Sequence, residues 1–240
     1  MGTVYMIPNV IAGGTADQVI APQVREILPK LKYFLVEDVR TARRYISSLK
    51  LGIRIEDLVF EKVDKKTGPA EIGHLMRPVL EGKDVGVISE SGCPGVADPG
   101  AAVAAFAHGK GIKVVPMVGP SSLLLALMAS GFNGQSFAFI GYLPIDKAQR
   151  RKRIIAVEKK SEEENQTQIF IETPYRNEAL LGALLRNLKP STKLCIARDV
   201  TGEEEFVVTK SVGEWKKSAP ELKKVPTVFL VQGQFNKKKG

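Results

Sequence analysis

Short apolar runs recur through the first half of the chain, and each leads into a segment with helical spacing. Residues 4–7 (Val-Tyr-Met-Ile) form such a run, closed by Pro8. Pro22 can open a helix at its first turn, with Val24, Ile27, Leu28 and Leu31 recurring at helical intervals. Residues 33–36 are the next strand, ending at Glu37 and Asp38, and residues 43–49 are helical. Residues 57–60 read as extended, and residues 69–80 as one helix stopped by Gly82. Residues 85–88 and 112–115 are further strands, with an Ala-rich helix over 101–107 between them. Repeated strand–helix units of this length predict a largely parallel sheet covered by helices on both faces.

The pattern changes at Val118-Gly119-Pro120-Ser121-Ser122. The serine pair caps a strongly apolar helix, residues 123–129, which stops at Gly131. Beyond it, residues 137–140, 169–171, 194–197, 205–209 and 227–231 are strand-like, and a short acidic turn alone separates two of them. That arrangement predicts a mixed sheet. The expected fold class is α/β in two domains: residues 1–118 with a mainly parallel sheet, and 119–240 with a mixed one. A ligand cleft is expected between them. No internal repeat is evident.

Between the fourth strand and the Ala-rich helix lies the most informative segment, residues 89–100, Ser-Glu-Ser-Gly-Cys-Pro-Gly-Val-Ala-Asp-Pro-Gly. Glycine lets a backbone approach a ligand closely and proline holds the bend rigid. In open α/β sheets such loops lie where ligands bind. The spacing fits neither a GxGxxG dinucleotide fingerprint nor a GxxxxGK[ST] phosphate loop, so the expected ligand is not built around a pyrophosphate.

Charge narrows the partners. Lys and Arg total 35 against 26 Asp and Glu, a net charge of +9, which favours a polyanion such as nucleic acid. The two cysteines, Cys93 and Cys195, and two histidines, His74 and His108, predict no disulfide framework, no metal site and no histidine-based triad. Such cysteine economy fits a reducing cytoplasm. The first residues lack the basic region and cleavage pattern of a signal peptide, and the longest apolar run, 123–129, is too short to span a bilayer.

Several spaced motifs then coincide: Tyr5-Met6-Ile7-Pro8, Glu37-Asp38-Val39-Arg40, residues 88–100, Gly119-Pro120-Ser121-Ser122 and Gly141-Tyr142-Leu143-Pro144. They continue with Phe170-Ile171-Glu172-Thr173-Pro174-Tyr175-Arg176, Ala197-Arg198-Asp199-Val200-Thr201 and Glu204-Glu205-Phe206. In this order the set resembles the tetrapyrrole methylase superfamily, the class III S-adenosylmethionine (SAM)-dependent methyltransferases. Its ribosomal RNA 2′-O-ribose methyltransferase branch is the most similar. The resemblance departs at residues 9–14, at Val39, and at residues 61–66, where the branch usually has other residues.

The resemblance implies a SAM-dependent methyltransferase, a homodimer, acting on ribosomal RNA or the small ribosomal subunit. It implies SAM contacts from Pro8, Ser89, Glu90, Ser91, Gly92, Cys93, Val96, Asp98, Ser121, Ser122, Glu172, Thr173, Pro174, Pro226 and Thr227. Methyl transfer is an in-line displacement that needs orientation and electrostatics rather than a metal or a protein nucleophile. At the acceptor, Glu37, Asp38 and Arg40 are the candidate catalytic groups, or else a buried Asp–Arg pair that orients the next helix. Arg150, Arg151, Lys152, Arg153 and Arg176 are candidate RNA contacts; Arg176 and Arg198 have the alternative of pairing internally with Asp199 or Glu203. Further lysines at 216, 217, 223, 224 and 237–239 can extend that surface. Tyr142 and Tyr175 can stack on a base. Asp98 can instead cap the helix near Gly100, and Cys93 reads as a small loop residue rather than a reactive thiol. Rival readings are carbon methylation of a tetrapyrrole precursor, and an RNA-binding paralogue that has lost catalysis.

Overall fold

A computed structural model describes residues 1–235, and within it the chain divides into two units after Ser121. The first unit carries five strands, β1 (Thr3–Ile7), β2 (Tyr33–Val36), β3 (Val59–Lys62), β4 (Val85–Ile88) and β5 (Lys113–Pro116). They pair in the order β3-β2-β4-β1-β5, every pair parallel. Alternation sends Ile7, Phe34, Val36 and Ile88 to one face and Val4, Met6, Leu35, Val85 and Val87 to the other. The first face is covered by α1 (Ala16–Val19), α2 (Pro22–Ile27) and α3 (Val39–Ser48). The second is covered by α4 (Pro69–Leu75), α5 (Arg77–Leu80) and α6 (Gly100–Gly109). Gly86 makes the central strand possible, since a Cβ there would lie 2.8 Å from both Ile7 and Phe34.

Two elements differ from the sequence reading. The helix expected over 69–80 is two helices that meet at Met76 (φ −83°, ψ 3°). Pro78 explains the break: it has no N–H to give to the carbonyl four residues back, and its ring crowds that carbonyl. Helix α3 begins at Val39 rather than 43, because Asp38 accepts the Thr41 N–H at 2.7 Å and caps the first turn.

The second unit opens with α7 (Ser122–Ser130), after which Gly131 takes a φ of +74°. Its strands are β6 (Phe137–Tyr142), β7 (Thr167–Ile171), β8 (Lys193–Arg198), β9 (Phe206–Ser211) and β10 (Thr227–Gln232), in the order β6-β7-β10-β8-β9. Only β6 and β7 pair in parallel, so the sheet is mixed, and β8–β9 is the hairpin across the acidic turn. One face packs Phe170, Ile196 and Phe229 beneath α8 (Lys147–Glu164), α9 (Asn177–Asn187) and α10 (Val212–Trp215). The other packs Ile169, Cys195, Val228 and Leu230 against Ala126 and Leu127 of α7.

Candidate active site

Strand order marks a candidate site in the first unit. From β1 the chain crosses over β4 to β2, whereas from β4 it crosses over β1 to β5. The crossovers from adjacent β1 and β4 therefore run in opposite directions, which makes their carboxyl ends the topological switch point of the sheet, where ligands bind in open α/β folds. The loops there are Pro8-Asn9 and residues 89–100. Asn9 joins them: its N–H donates to the Gly92 carbonyl at 2.9 Å, and its side-chain amide donates to the carbonyls of Ser89 at 3.1 Å and Glu90 at 3.0 Å. The Tyr45 hydroxyl donates to the Pro8 carbonyl at 2.7 Å. The sequence reading missed both residues as supports of the loop, although an Asn directly after a strand-ending proline was a usable signal.

The loop that follows β5, Val118-Gly119-Pro120, closes onto the same place. Gly119 packs directly on the Pro8 ring, where any Cβ would collide with it. Gly92, at φ +70°, faces the Pro120 carbonyl, which a Cβ would meet at 3.3 Å. The Cys93 thiol donates to that same carbonyl at 3.3 Å. Thus Pro8, Ser89, Gly92, Cys93 and Asp98 belong to one tight assembly, while Glu90, Ser91 and Val96 stand exposed on it.

Acidic groups dominate its electrostatics. The Glu90 N–H donates to the Glu37 carboxylate at 3.3 Å. Burial pushes the Glu37 carboxyl above its ordinary value, and the charges of Glu90 and Asp98 push the same way. Burial also raises Asp98, whose carboxylate accepts the N–H groups of Gly95 and Gly100, the latter at 2.6 Å. Asp98 therefore ties the loop to Gly100, the first residue of α6, while Pro99 stands at the N-cap without a side-chain cap. Burial, then Asp98, raises the Cys93 thiol, which makes it a poor nucleophile at neutral pH. A buried Asp38–Arg40 pair does not form: Arg40 is exposed and has no ion-pair partner among the described residues.

In the second unit, the remaining residues gather at the carboxyl end of β7. Glu172 follows that strand, Thr173 and Pro174 lead into a turn, and Pro226 precedes Thr227, the first residue of the neighbouring β10. The Glu172 side chain is fully buried, and one of its oxygens accepts the Thr173 N–H at 2.7 Å and Arg176 at 2.6 Å. Arg176 thus pairs with Glu172 rather than Asp199 or Glu203. Arg198 lies 4.0 Å from Glu204 and donates to the Glu221 carbonyl, again not to the acids expected. Ser121 ends the first unit and Ser122 is the first residue of α7.

The basic run splits. Arg151, Lys152 and Arg153 are exposed on α8, but Arg150 is only 8% exposed and lies on the helix's buried stripe with Ile154 and Val157. The lysines at 216, 217, 223 and 224 are exposed, and those at 237–239 lie outside the described residues. Among the described residues no His, Cys, Asp and Glu cluster could hold a metal, and no helix is long and apolar enough to cross a membrane.

Comparison with known proteins bears on this geometry. A family model described as Tetrapyrrole (Corrin/Porphyrin) Methylases matches residues 12–216. A Neisseria meningitidis serogroup B protein named ribosomal RNA small subunit methyltransferase I is 31% identical over 89% of this chain and 69% of its own length. The Vibrio cholerae protein of that name is 28% identical over 95% of this chain and 76% of its own. Among solved structures, the methyltransferase CobJ aligns over 100% of this chain and 98% of its own, with a TM-score of 0.64 at 20% identity. Uroporphyrin-III C-methyltransferase from Thermus thermophilus, complexed with S-adenyl homocysteine, aligns over 96% and 97% with a TM-score of 0.55 at 17% identity. With the family match spanning the switch-point loop and most of both units, the chain belongs to the tetrapyrrole methylase family.

Proposed function

We propose that this protein is a SAM-dependent methyltransferase that modifies a ribose 2′-hydroxyl of small-subunit ribosomal RNA. The observation that carries the donor half is the rigid, glycine-lined assembly at the β1/β4 switch point, with Glu37, Glu90 and Asp98 gathered about it. Gly119 leaves no room for a Cβ and Gly92 holds a left-handed backbone against the Pro120 carbonyl, and the local acidity suits a cationic sulfonium. When bound, SAM supplies an electrophilic methyl group. The first-unit residues assigned to hold it are Pro8, Ser89, Glu90, Ser91, Gly92, Cys93, Val96, Asp98 and Ser121.

Glu37 is the group assigned to take or orient the acceptor proton. A carboxyl raised by burial is a better base than an ordinary one, provided it is ionised at the working pH. Asp38 is committed to capping α3, and Arg40 is left to meet the acceptor's phosphate. The RNA half rests on the net charge, the exposed Arg151, Lys152 and Arg153, and the names of the relatives. A cytoplasmic homodimer completes the reading, supported by the exposed Leu124 and Met128 on α7 and by two free cysteines.

The test is methyl transfer from tritiated SAM to small ribosomal subunits, to naked RNA and to a uroporphyrinoid pigment. Label at a ribose of small-subunit RNA is the expected result. Label in the pigment alone would replace the acceptor, and label in neither with no calorimetric SAM binding would remove the enzyme.

A further inference from the structure

Helix α3 carries a charge pattern that its own stability does not explain. Arg40, Arg43 and Arg44 are all exposed and stand three and four positions apart, so they share one face. Residues 39–54 contain five Arg and Lys and no Asp or Glu. Like charges at this spacing repel, and a helix favours cations in its last turn, whereas α3 has Arg40 in its first and none in its last. A helix face that is merely solvated interleaves the two signs, as α8 does with the pairs Lys159–Glu163 and Lys160–Glu164. Among the described residues, Arg40, Arg43 and Arg44 form no ion pair.

The edge strand β3 continues this surface. Phe60 pairs with Phe34 and packs on the α3 side of the sheet, with the Arg43 guanidinium 5.7 Å from its ring centre. After Lys62 the chain is anchored by the buried Val63, whose N–H donates to the Val36 carbonyl at 2.9 Å. The Asp64 carboxylate then accepts the Lys66 N–H at 2.8 Å, and the Asp64 N–H donates to the Thr67 hydroxyl at 2.9 Å. This fixes a turn on which Lys65 and Lys66 are exposed. Lys62 is engaged by Asp64 at 3.4 Å, but Lys65 and Lys66 have no ion-pair partner among the described residues. Both elements border the carboxyl end of β2. Against the burial that raises Glu37, the Lys65 charge pulls that carboxyl down, and the charges of Arg40 and Lys62 add to the Thr41 N–H in lowering Asp38.

We propose that Arg40, Arg43, Arg44, Lys65 and Lys66 form a binding surface for the phosphate backbone of the acceptor RNA, which leads the strand to Glu37. The inference rests on the RNA acceptor proposed above and gives it a surface within the first unit. Arg40 and Arg44 are about 6 Å apart along the helix axis, so their guanidinium groups can meet separate phosphates. Phosphate contacts fix a strand's register without reading its bases, so the role is positioning rather than catalysis. Val39 and residues 61–66, where the sequence departs from the ribosomal branch, lie in these same two elements.

The experiment measures two things on the full chain: the salt dependence of binding to labelled single-stranded RNA, and methyl transfer from tritiated SAM to small ribosomal subunits. Two variants of equal charge loss are compared. One combines Arg44→Gln, Lys65→Gln and Lys66→Gln; Arg40 is kept for its place at the acceptor and Arg43 for its packing on Phe60. The other combines Lys32→Gln, Lys110→Gln and Lys113→Gln, exposed toward the amino ends of β2 and β5. The first should lower the log–log salt slope by about 2, one single-strand phosphate for each cation lost. It should also raise KM for the subunit and leave kcat and SAM affinity unchanged. The second should match the parent, as should the charge-conserving set Arg44→Lys, Lys65→Arg and Lys66→Arg. A parental slope in the first variant, an equal fall in both glutamine variants, or competition by polyglutamate as strong as by RNA of equal charge would each overturn the surface. No RNA binding by the parent would remove the acceptor and the surface together. The expected slopes without methyl transfer by the parent would sink the activity and leave the surface standing.

Discussion

Glu37 sits half-buried at the carboxyl end of β2, and burial holds its carboxyl above the usual 4.5. The folded state therefore retains this proton to higher pH than the unfolded chain does. Between the usual value and the raised one, folding binds a proton, so stability falls as pH rises through that window. Glu37→Gln removes the penalty. Calorimetric melting should show the variant gaining on the parent at pH 7 and matching it below pH 4.5, while methyl transfer drops at every pH. An equal stability difference at both values would contradict the burial of a charged carboxylate. Residue-scale legibility was uneven: loop composition pointed to residues 89–100, but the bracket formed by Asn9 and Tyr45 depends on partners 80 and 37 positions away. Likewise Arg150 looks like its neighbours in sequence, and only the helical stripe places it inside.

Helix α3 shows how one side chain sets an element's boundary. Asp38 accepts the Thr41 N–H, which also lowers its carboxyl below the ordinary 3.8. Asp38→Ala should cost about 1 kcal/mol, read as a lower urea midpoint at neutral pH. The stabilisation is present above the unfolded value and lost as pH falls through the lowered folded one, so the two chains should converge in acid. A pH-independent difference would assign the loss to something other than the cap. Elements with strong apolar runs, such as β2 and β4, were readable because burial on both faces leaves little alternative. Helix α1 was not, since it is four residues long and buries none of them. The joint at Met76 was readable in principle from Pro78, but the apolar spacing of Ile72, Met76 and Val79 carries across it.

At the scale of the molecule, a net charge of +9 predicts affinity for a polyanion without saying which surface meets it. We propose α8 as that surface, since Arg151, Lys152 and Arg153 are exposed on it while Arg150 packs inward. Replacing the three exposed residues with alanine should make RNA binding less salt-dependent, by about 2 in the log–log slope if each meets one phosphate of a single strand. SAM affinity, measured by calorimetry, should not change. Arg150→Ala should behave differently, lowering the melting temperature through lost packing of its stem. If the triple variant kept the parental slope, the run would be a solvated helix face, and the RNA would have to be held by other cations, those of α3 first among them.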